Sequence, residues 1–304
     1  MKIRHYLTKL YYSSKLVHSV ISPVFKVRNQ VISQKTLIEF RFKRMLGYKL
    51  DLNNPKSYNE KLQWLKLNDR SDLHIQCADK YAVRTHIELK IGDNYLIPLI
   101  KDTQNVEEIT PENLPDYPVI IKTNHDSGGI TIVWDKNDMD WSKTRKKLAE
   151  QLNSTYANHK GEWQYNDIEP RLVVEKLLVT EEGMIPSDFK LHCFNGKVVF
   201  TQVDLDRATD HKRNLYDINW NLIPCKWNYE NGEPVRKPEV FENMVEIAEK
   251  LAKDFICVRV DLYVIEDNIY FGELTFHSES GFGKFEPQEW DFKFGEMLKL
   301  PFEN

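Results

Sequence analysis

Two acidic residues near the C-terminal end of this 304-residue chain are spaced so that strand pairing would set them face to face. Cys257-Val258-Arg259-Val260-Asp261-Leu262-Tyr263-Val264-Ile265 and Ile269-Tyr270-Phe271-Gly272-Glu273-Leu274-Thr275-Phe276 are β-rich runs, and Glu266-Asp267-Asn268 between them are turn formers. That is a hairpin pattern. With a three-residue loop, Ile265 pairs with Ile269, Asp261 lies opposite Glu273, and Arg259 lies opposite Thr275. Side chains alternate faces along a strand, so these four share one face. Val258, Val260, Leu262, Val264, Leu274 and Phe276 then form a core face. Like charges directly opposite each other destabilise a sheet unless something compensates them. Hard oxygen donors beside an arginine suit Mg²⁺ serving phosphates, with Asp261 and Glu273 as the candidate ligands. The inert alternative is two solvated carboxylates on an exposed hairpin.

A second group of residues could bind phosphate. Pro118-Val119-Ile120-Ile121-Lys122 reads as a strand running into Thr123-Asn124-His125-Asp126-Ser127-Gly128-Gly129. A lysine at a strand end supplies a point charge, and glycines let backbone N–H groups approach oxygens. A plain strand connection with a Ser-Gly-Gly turn explains the same letters. His125 reads as a general base or, more simply, as a hydrogen-bonding loop residue.

The elements that must position these groups follow from pattern. Ser57 and Glu60 form a capping box opening a helix through Leu62, Trp64, Leu65 and Leu67. A second helix is expected over Leu73–Leu89, strands at Tyr95–Ile100, Ile130–Trp134 and Leu172–Glu175, and a helix from Trp141 to Tyr156. Asn195-Gly196 joins strands 188–194 and 197–203. Residues 204–238 read as irregular, and 239–254 as an amphipathic helix. The pattern is α+β with mostly antiparallel strands. It contains no GxGxxG and no GxxxxGK[ST], so neither familiar nucleotide cradle is present.

Composition bounds the rest. Hydrophobic residues make up 41% and charged residues 29%, ordinary for a globular protein. A net charge of −4 argues against general nucleic-acid binding. Cys77, Cys193, Cys225 and Cys257 have no metal spacing and read as reduced, buried thiols of a cytoplasmic protein. No stretch has the length of a membrane-spanning helix, and the apolar run 17–25 makes a poor signal peptide. Residues 1–49 hold eleven Lys/Arg and one acid, interleaved with apolar residues at roughly helical spacing. Such a segment reads as a contact for the inner membrane surface or another anionic partner, or as a helix packed on the body with a solvated basic face.

Taken in order, several motifs resemble the TupA-like branch of the ATP-grasp superfamily, linked to teichuronopeptide and capsular polysaccharide biosynthesis. They are Asn54-Pro55-Lys56-Ser57-Tyr58-Asn59-Glu60-Lys61-Leu62-Gln63-Trp64, Ala78-Asp79-Lys80-Tyr81-Ala82-Val83-Arg84, Lys122–Gly128, Asp188–Gly196 and Phe271–Phe276, spread over roughly residues 45–304. The resemblance implies two α+β subdomains clasping ATP. It divides the chain into a basic segment (1–48), a helical region (49–117), a small subdomain with the glycine lid (118–180) and a large subdomain with the metal hairpin (181–304). It also implies roles. Lys80 and Lys122 would contact the ATP phosphates. Ser127, Gly128 and Gly129 would close over the triphosphate. Glu175 and Lys176 would lie at the adenine, with the main chain near Leu177 and Leu178 reading its edge. Asp188 would hold the ribose. Asp261 and Glu273 would hold Mg²⁺, and Arg259 would neutralise the transferred phosphoryl. Thr275 replaces the usual asparagine, which weakens a second metal position.

By that resemblance the chain is an ATP-dependent carboxylate-amine ligase working through an acylphosphate. The expected substrates are a hexuronic acid of a surface glycan, or its sugar-nucleotide precursor, and an amino acid or peptide amine. Arg207, Lys212 and Arg213 would hold the uronate or the γ-phosphate, and His277 would border the acceptor site. The rivals are a glycosyltransferase, for which Asp138-Met139-Asp140 has the letters of a DxD, and a non-catalytic nucleotide-binding protein.

Overall fold

The computed structural model describes residues 33–126, 128–154, 161–207 and 209–303. The chain divides at Leu50/Asp51 into two compact units. The smaller contains helix α1 (Gln34–Leu46), which starts at Ser33, whose hydroxyl accepts the Thr36 N–H. It stops at Gly47, in the left-handed conformation that glycine adopts cheaply. Helix α1 buries Ile38 and Phe42 and exposes Phe40 and Met45 beside Lys43 and Arg44.

The larger unit opens with α2 (Tyr58–Asn68), and the Ser57/Glu60 capping box forms as the sequence predicts. The helix expected over 73–89 is two helices, α3 (Asp72–Ala78) and α4 (Val83–Ile91). Asp79 breaks it. Its carboxylate accepts the Tyr81 N–H at 2.8 Å and the Asn124 amide at 2.9 Å, which is local turn chemistry reinforced by a distant loop. Lys80 therefore sits in a loop rather than on a helix face.

Four strands form the first sheet: β1 (Leu99–Thr103), β2 (Val119–Thr123), β3 (Ile130–Val133) and β4 (Leu172–Lys176), in the order β1-β4-β2-β3, all antiparallel. The strand expected at 95–100 begins later, because Asp93–Tyr95 is a 3₁₀ turn and Leu96 makes only one bridge, to Phe271. One face buries Val119, Ile121, Val133, Leu172 and Val174 against Leu148 of α5 (Trp141–Leu152); Asn153 and Ser154 have left the helix, and 155–156 lie outside the described residues. The opposite face carries Lys122 and Glu175.

The second sheet has five antiparallel strands: β5 (Asp188–Phe194), β6 (Lys197–Leu205), β7 (Lys212–Tyr216), β9 (Cys257–Ile265) and β10 (Asn268–Thr275), in the order β10-β9-β5-β6-β7. β7 corrects the reading of 204–238 as irregular. It is a short edge strand whose Lys-Arg-Asn start hides its β character. A short pair, β8 (Lys226–Trp227) with β11 (Phe285–Glu286), comes from the same stretch and the C-terminal region. Helix α6 (Phe241–Ala252) sets Phe241, Met244, Ile247, Ala248 and Leu251 in one core with Leu191, Val203, Val258, Val260, Leu262 and Leu274 of the sheet. Each fully buried large apolar side chain there is worth about 1.5–3 kcal/mol of transfer free energy. α2 and α7 (Glu289–Met297) share a second core with Trp227, Phe200 and Phe285.

The β9–β10 hairpin differs from its expected form twice, and the differences cancel. Its loop is two residues, Glu266-Asp267, both at positive φ (48° and 63°), so Ile265 pairs with Asn268 and not with Ile269. A β-bulge at Gly272, between Phe271 and Glu273, then restores the missing residue. Asp261 ends opposite Glu273 and Arg259 opposite Thr275. The signal for the bulge is in the sequence: apolar residues at 269 and 271, then at 274 and 276, break the two-residue period at 272. A Cβ at Gly272 would lie 3.0 Å from the Asp261 carbonyl oxygen.

Candidate active site

The face of the five-stranded sheet away from α6 is a lattice of charged side chains. Strand pairing aligns Glu273, Asp261, Lys190 and Gln202 in one row and Thr275, Arg259, His192 and Phe200 in the next. On the other side of the first row, Tyr263 faces Asp188, and Asp204 faces Arg213. Arg259 grips Asp261 with two bonds (2.6 and 2.7 Å) and reaches Glu273 Oε1 at 2.9 Å. Thr275 donates its hydroxyl to the same oxygen at 3.1 Å. Lys190 donates to Asp188 and lies 3.8 Å from both Asp204 and Asp261. Arg213 binds Asp204 at 2.6 Å and Glu279 at 2.8 Å.

Burial and these neighbours set the charges. Burial pushes the Asp261 carboxyl up against the pull of Arg259 and Lys190. For Glu273 burial also pushes up, but Arg259, Lys80 and Lys190 outweigh it and the carboxyl is lowered. Burial lowers Lys190 to about 8 despite Asp261 and Asp204. Asp204 is raised by burial but brought down to about 2 by Arg213 and Lys190. His192, buried and stacked on Phe200 at 4.1 Å, is held neutral by burial and by Arg259.

The four-stranded sheet contributes fewer charges. Lys122 Nζ lies 2.7 Å from Glu175 Oε2, and Arg84 of α4 lies 3.0 Å from Oε1. Lys80 donates to the Asp126 carbonyl. Burial lowers its pKa, against the opposing pull of Glu273 and Asp126. Gly128 has a φ of 107°, and a Cβ at Gly129 would meet Asp126 Oδ2 and Thr123 Oγ1 at 2.2 Å. Ser127 lies outside the described residues. His125 is a hydrogen-bonding residue, its Nε2 3.1 Å from the Ser154 carbonyl.

The structure gives several candidate residues partners of their own. The Lys176 side chain alternates away from Glu175, is exposed, and lies over the Tyr117 ring at 6.0 Å, so only its main chain remains on the Lys122 side. The Leu177 N–H donates to the Pro118 carbonyl at 3.0 Å. Arg207, Lys212 and Arg213 have separate partners: Arg207 reaches Asp188 at 3.3 Å, Arg213 is buried in the lattice, and Lys212 pairs with Asp210 at 3.0 Å. His277 is enclosed, 3.5 Å from Gln164, with burial and Lys66 holding it well below its ordinary pKa. Asp140 caps α5, its carboxylate accepting the Lys143 N–H at 3.0 Å, so the DxD letters have a structural use.

The donor set fits Mg²⁺ of a particular kind. No group of three His, Cys, Asp or Glu side chains able to hold a metal occurs among the described residues. Two carboxylates facing each other are what Mg²⁺ needs when phosphate oxygens and water complete its shell. Asp261 and Glu273 are the residues that would hold it, and Arg259 would then share their charge. Lys190, Asp204, Arg84 and Glu279 belong to the site but not to the sequence reading. Asp188, Lys190 and His192 alternate with apolar residues, a visible strand signal. Glu279 carries no such signal.

The sequence model of the family described as TupA-like ATPgrasp matches residues 60–299. No curated protein matches the chain. Among solved structures, D-alanine–D-alanine ligase from Bacillus anthracis matches with 19% identity, a TM-score of 0.40, and 66% of this chain against 57% of that one. The ADP complex of PurK, N5-carboxyaminoimidazole ribonucleotide synthetase, matches with 18% identity, a TM-score of 0.42, and 71% against 50%. The ATP-grasp ligase PsnB with its minimal precursor matches with 11% identity, a TM-score of 0.38, and 67% against 52%. The chain thus spans about half of the length of these proteins.

Proposed function

The chain belongs to the TupA-like ATP-grasp family, and we propose that it is an ATP-dependent carboxylate-amine ligase. The observation that carries this reading is the Arg259 fork bridging Asp261 and Glu273 on paired strands. A cation site completed by phosphate, ringed by Lys80, Lys122 and Arg259, suits phosphoryl transfer, which needs positioning and charge neutralisation rather than a protein nucleophile. Mg²⁺, when bound, would neutralise phosphate charge between Asp261 and Glu273. Glu175, Leu178 and Asp188 are the residues we assign to the nucleoside.

In this reading a carboxylate oxygen attacks the γ-phosphorus of ATP and the bond to ADP breaks, giving an acylphosphate. A deprotonated amine then attacks the carbonyl carbon, phosphate leaves with its bonding pair, and the nitrogen loses a proton. The amide and inorganic phosphate remain. The clasped site serves to keep water from the acylphosphate. The donor we favour is a hexuronic acid of a surface glycan or its precursor, and the acceptor an amino acid amine. ATP-dependent phosphate release, measured with uronates crossed against amino acids, tests this. Release that requires both partners is the expected result. UDP release from a nucleotide sugar without ATP would favour a glycosyltransferase instead.

The basic segment supports a separate contact. Residues 1–49 balance to +10, with 31 lysines and arginines against 45 acids in the remainder, −14. Phe40 is 67% and Met45 49% exposed on α1 beside Lys43 and Arg44. We infer docking on an anionic lipid surface. Flotation with phosphatidylglycerol-containing vesicles, absent with phosphatidylcholine alone, is the expected outcome.

A further inference from the structure

Directly after β10 the chain passes through a turn in which Glu279 (φ 50°), Ser280 (φ 55°) and Gly281 (φ 64°) are all left-handed. For Glu279 and Ser280 this is a sterically penalised backbone that the surroundings must enforce. They do so from several directions. Gln63 donates to the Ser280 and Gly281 carbonyls at 3.0 and 2.6 Å, and Lys66 to the Ser280 carbonyl at 2.8 Å. Ser280 donates its hydroxyl to Glu162 at 3.0 Å. Ser280 and Gly281 are buried, but the Glu279 side chain is not part of either core; 29% of it is exposed. The enforced turn serves to present that carboxylate.

Both Glu279 oxygens are held in place. Oε1 accepts from Arg213 at 2.8 Å and Oε2 from Asn228 at 2.9 Å. Asn228 is itself left-handed (φ 63°) and anchored to the Lys284 N–H at 2.8 Å. The Arg213 side chain is only 4% exposed, its guanidinium 4.7 Å from the Tyr229 ring centroid. Glu279 follows Thr275 of β10 by four residues, and Arg213 is joined through Asp204 and Lys190 to Asp261, so the pair borders the phosphoryl end of the site. A fixed guanidinium and a fixed carboxylate, one hydrogen bond apart, match a ligand that carries a carboxylate and an ammonium on one carbon. A simple amine or a peptide N-terminus satisfies only half of the pair.

We propose that Arg213 and Glu279 form the acceptor pocket for a free α-amino acid, Arg213 receiving its carboxylate and Glu279 its ammonium. Arg213 is shared between Asp204 and Glu279; the zwitterion would give Arg213 and Glu279 each a partner of opposite charge while Asp204 stays on Arg213. The pocket directs the amine toward Arg259, where the acylphosphate of the proposed reaction would form. It rests on the ligase reading, and the test separates the two. Hydroxylamine traps an acylphosphate without an α-carboxylate, so hydroxamate formation reports the first half-reaction alone.

With a uronate that yields hydroxamate, the wild-type protein should couple a free α-amino acid at least tenfold better in kcat/KM than the methyl ester or the decarboxylated amine. Glu279→Gln should raise the amino-acid KM at least tenfold relative to the hydroxylamine KM of the same variant, and Glu279→Asp should restore part of it. Asn228→Ala, which frees one Glu279 oxygen, should give a smaller shift in the same direction. Equal use of acid and ester by the wild type, or an equal loss with both nucleophiles in Glu279→Gln, would overturn the pocket. Failure to form hydroxamate with any uronate would overturn the ligase reading and the pocket with it.

Discussion

On the five-stranded sheet, Asp188, Lys190, Asp204, Arg213, Arg259 and Asp261 lie on one face, bonded to one another and nearly sealed from solvent. On the four-stranded sheet, the facing surface offers Lys122 and Glu175, completed by Arg84 from a helix and Lys80 from a loop. The first is a charge lattice assembled by strand register. The second is a sparse arrangement finished by elements from elsewhere and by glycines. A lattice of buried ions holds its geometry before any ligand arrives, because removing one member strands the others in low dielectric. On the four-stranded sheet Glu175 is held by both Lys122 and Arg84, so losing one cation still leaves it paired. In the proposed reaction the five-stranded face would be the platform for metal and phosphoryl, and the four-stranded face the cover over the nucleotide.

The largest effect should come from the platform. Asp261→Asn is expected to lower ATP-dependent phosphate release at least 100-fold, since a deleted charge in a preorganised site costs more than 2.7 kcal/mol of transition-state stabilisation. Full turnover in a steady-state assay would remove the metal assignment and with it the contrast between the sheets. Next, Lys190→Met and Lys122→Met form a matched pair. Lys190→Met leaves Asp188, Asp204 and Asp261 facing one another and should lose about 3 kcal/mol in urea unfolding. Lys122→Met, which leaves Glu175 paired with Arg84, should lose about 1 kcal/mol yet weaken ATP binding about tenfold by calorimetry. Equal stability losses would mean that the two faces are not different in kind.

The third effect is in acid. Asp204 titrates at about 2 in the folded protein, below the ordinary 3.8. Its folded pKa is depressed, so its contribution is complete above the ordinary value and disappears as pH falls from about 4 to 2. That is about 2 kcal/mol. Arg213→Leu should flatten this limb of the pH–stability curve, because the depression comes largely from Arg213; an unchanged acid limb in thermal melts would assign the stabilisation elsewhere. The smallest effect belongs to the cover. Gly129→Ala must displace the Asp126 and Thr123 side chains, and should raise the ATP KM several-fold while moving the melting temperature by a few degrees at most. A large fall in melting temperature would show the loop to be structural.

Much of this site was legible in the letters. The capping box at Ser57, the Asn195-Gly196 turn and the strand ending at Lys122 are local devices that act within a few residues, and they form as written. The facing of Asp261 and Glu273 was also legible, although through a loop one residue too long and a bulge not counted. What pattern could not supply was long-range. The break at Asp79 that frees Lys80 needs Asn124 and Asp126 from a distant loop. β7 is a strand only because β6 offers it an edge.

The sequence by itself determined which residues carry charge toward the site and in what strand order, because side-chain alternation and turn chemistry are properties of neighbouring residues. Only the tertiary structure decided which charges compensate which. Lys190 reads as one more polar residue until Asp204 and Asp261 close around it from adjacent strands. Glu279 reads as a loop acid until α2 bends its backbone left-handed and delivers it to Arg213. Electrostatic partners are chosen by distance and burial, and neither exists until the chain has folded.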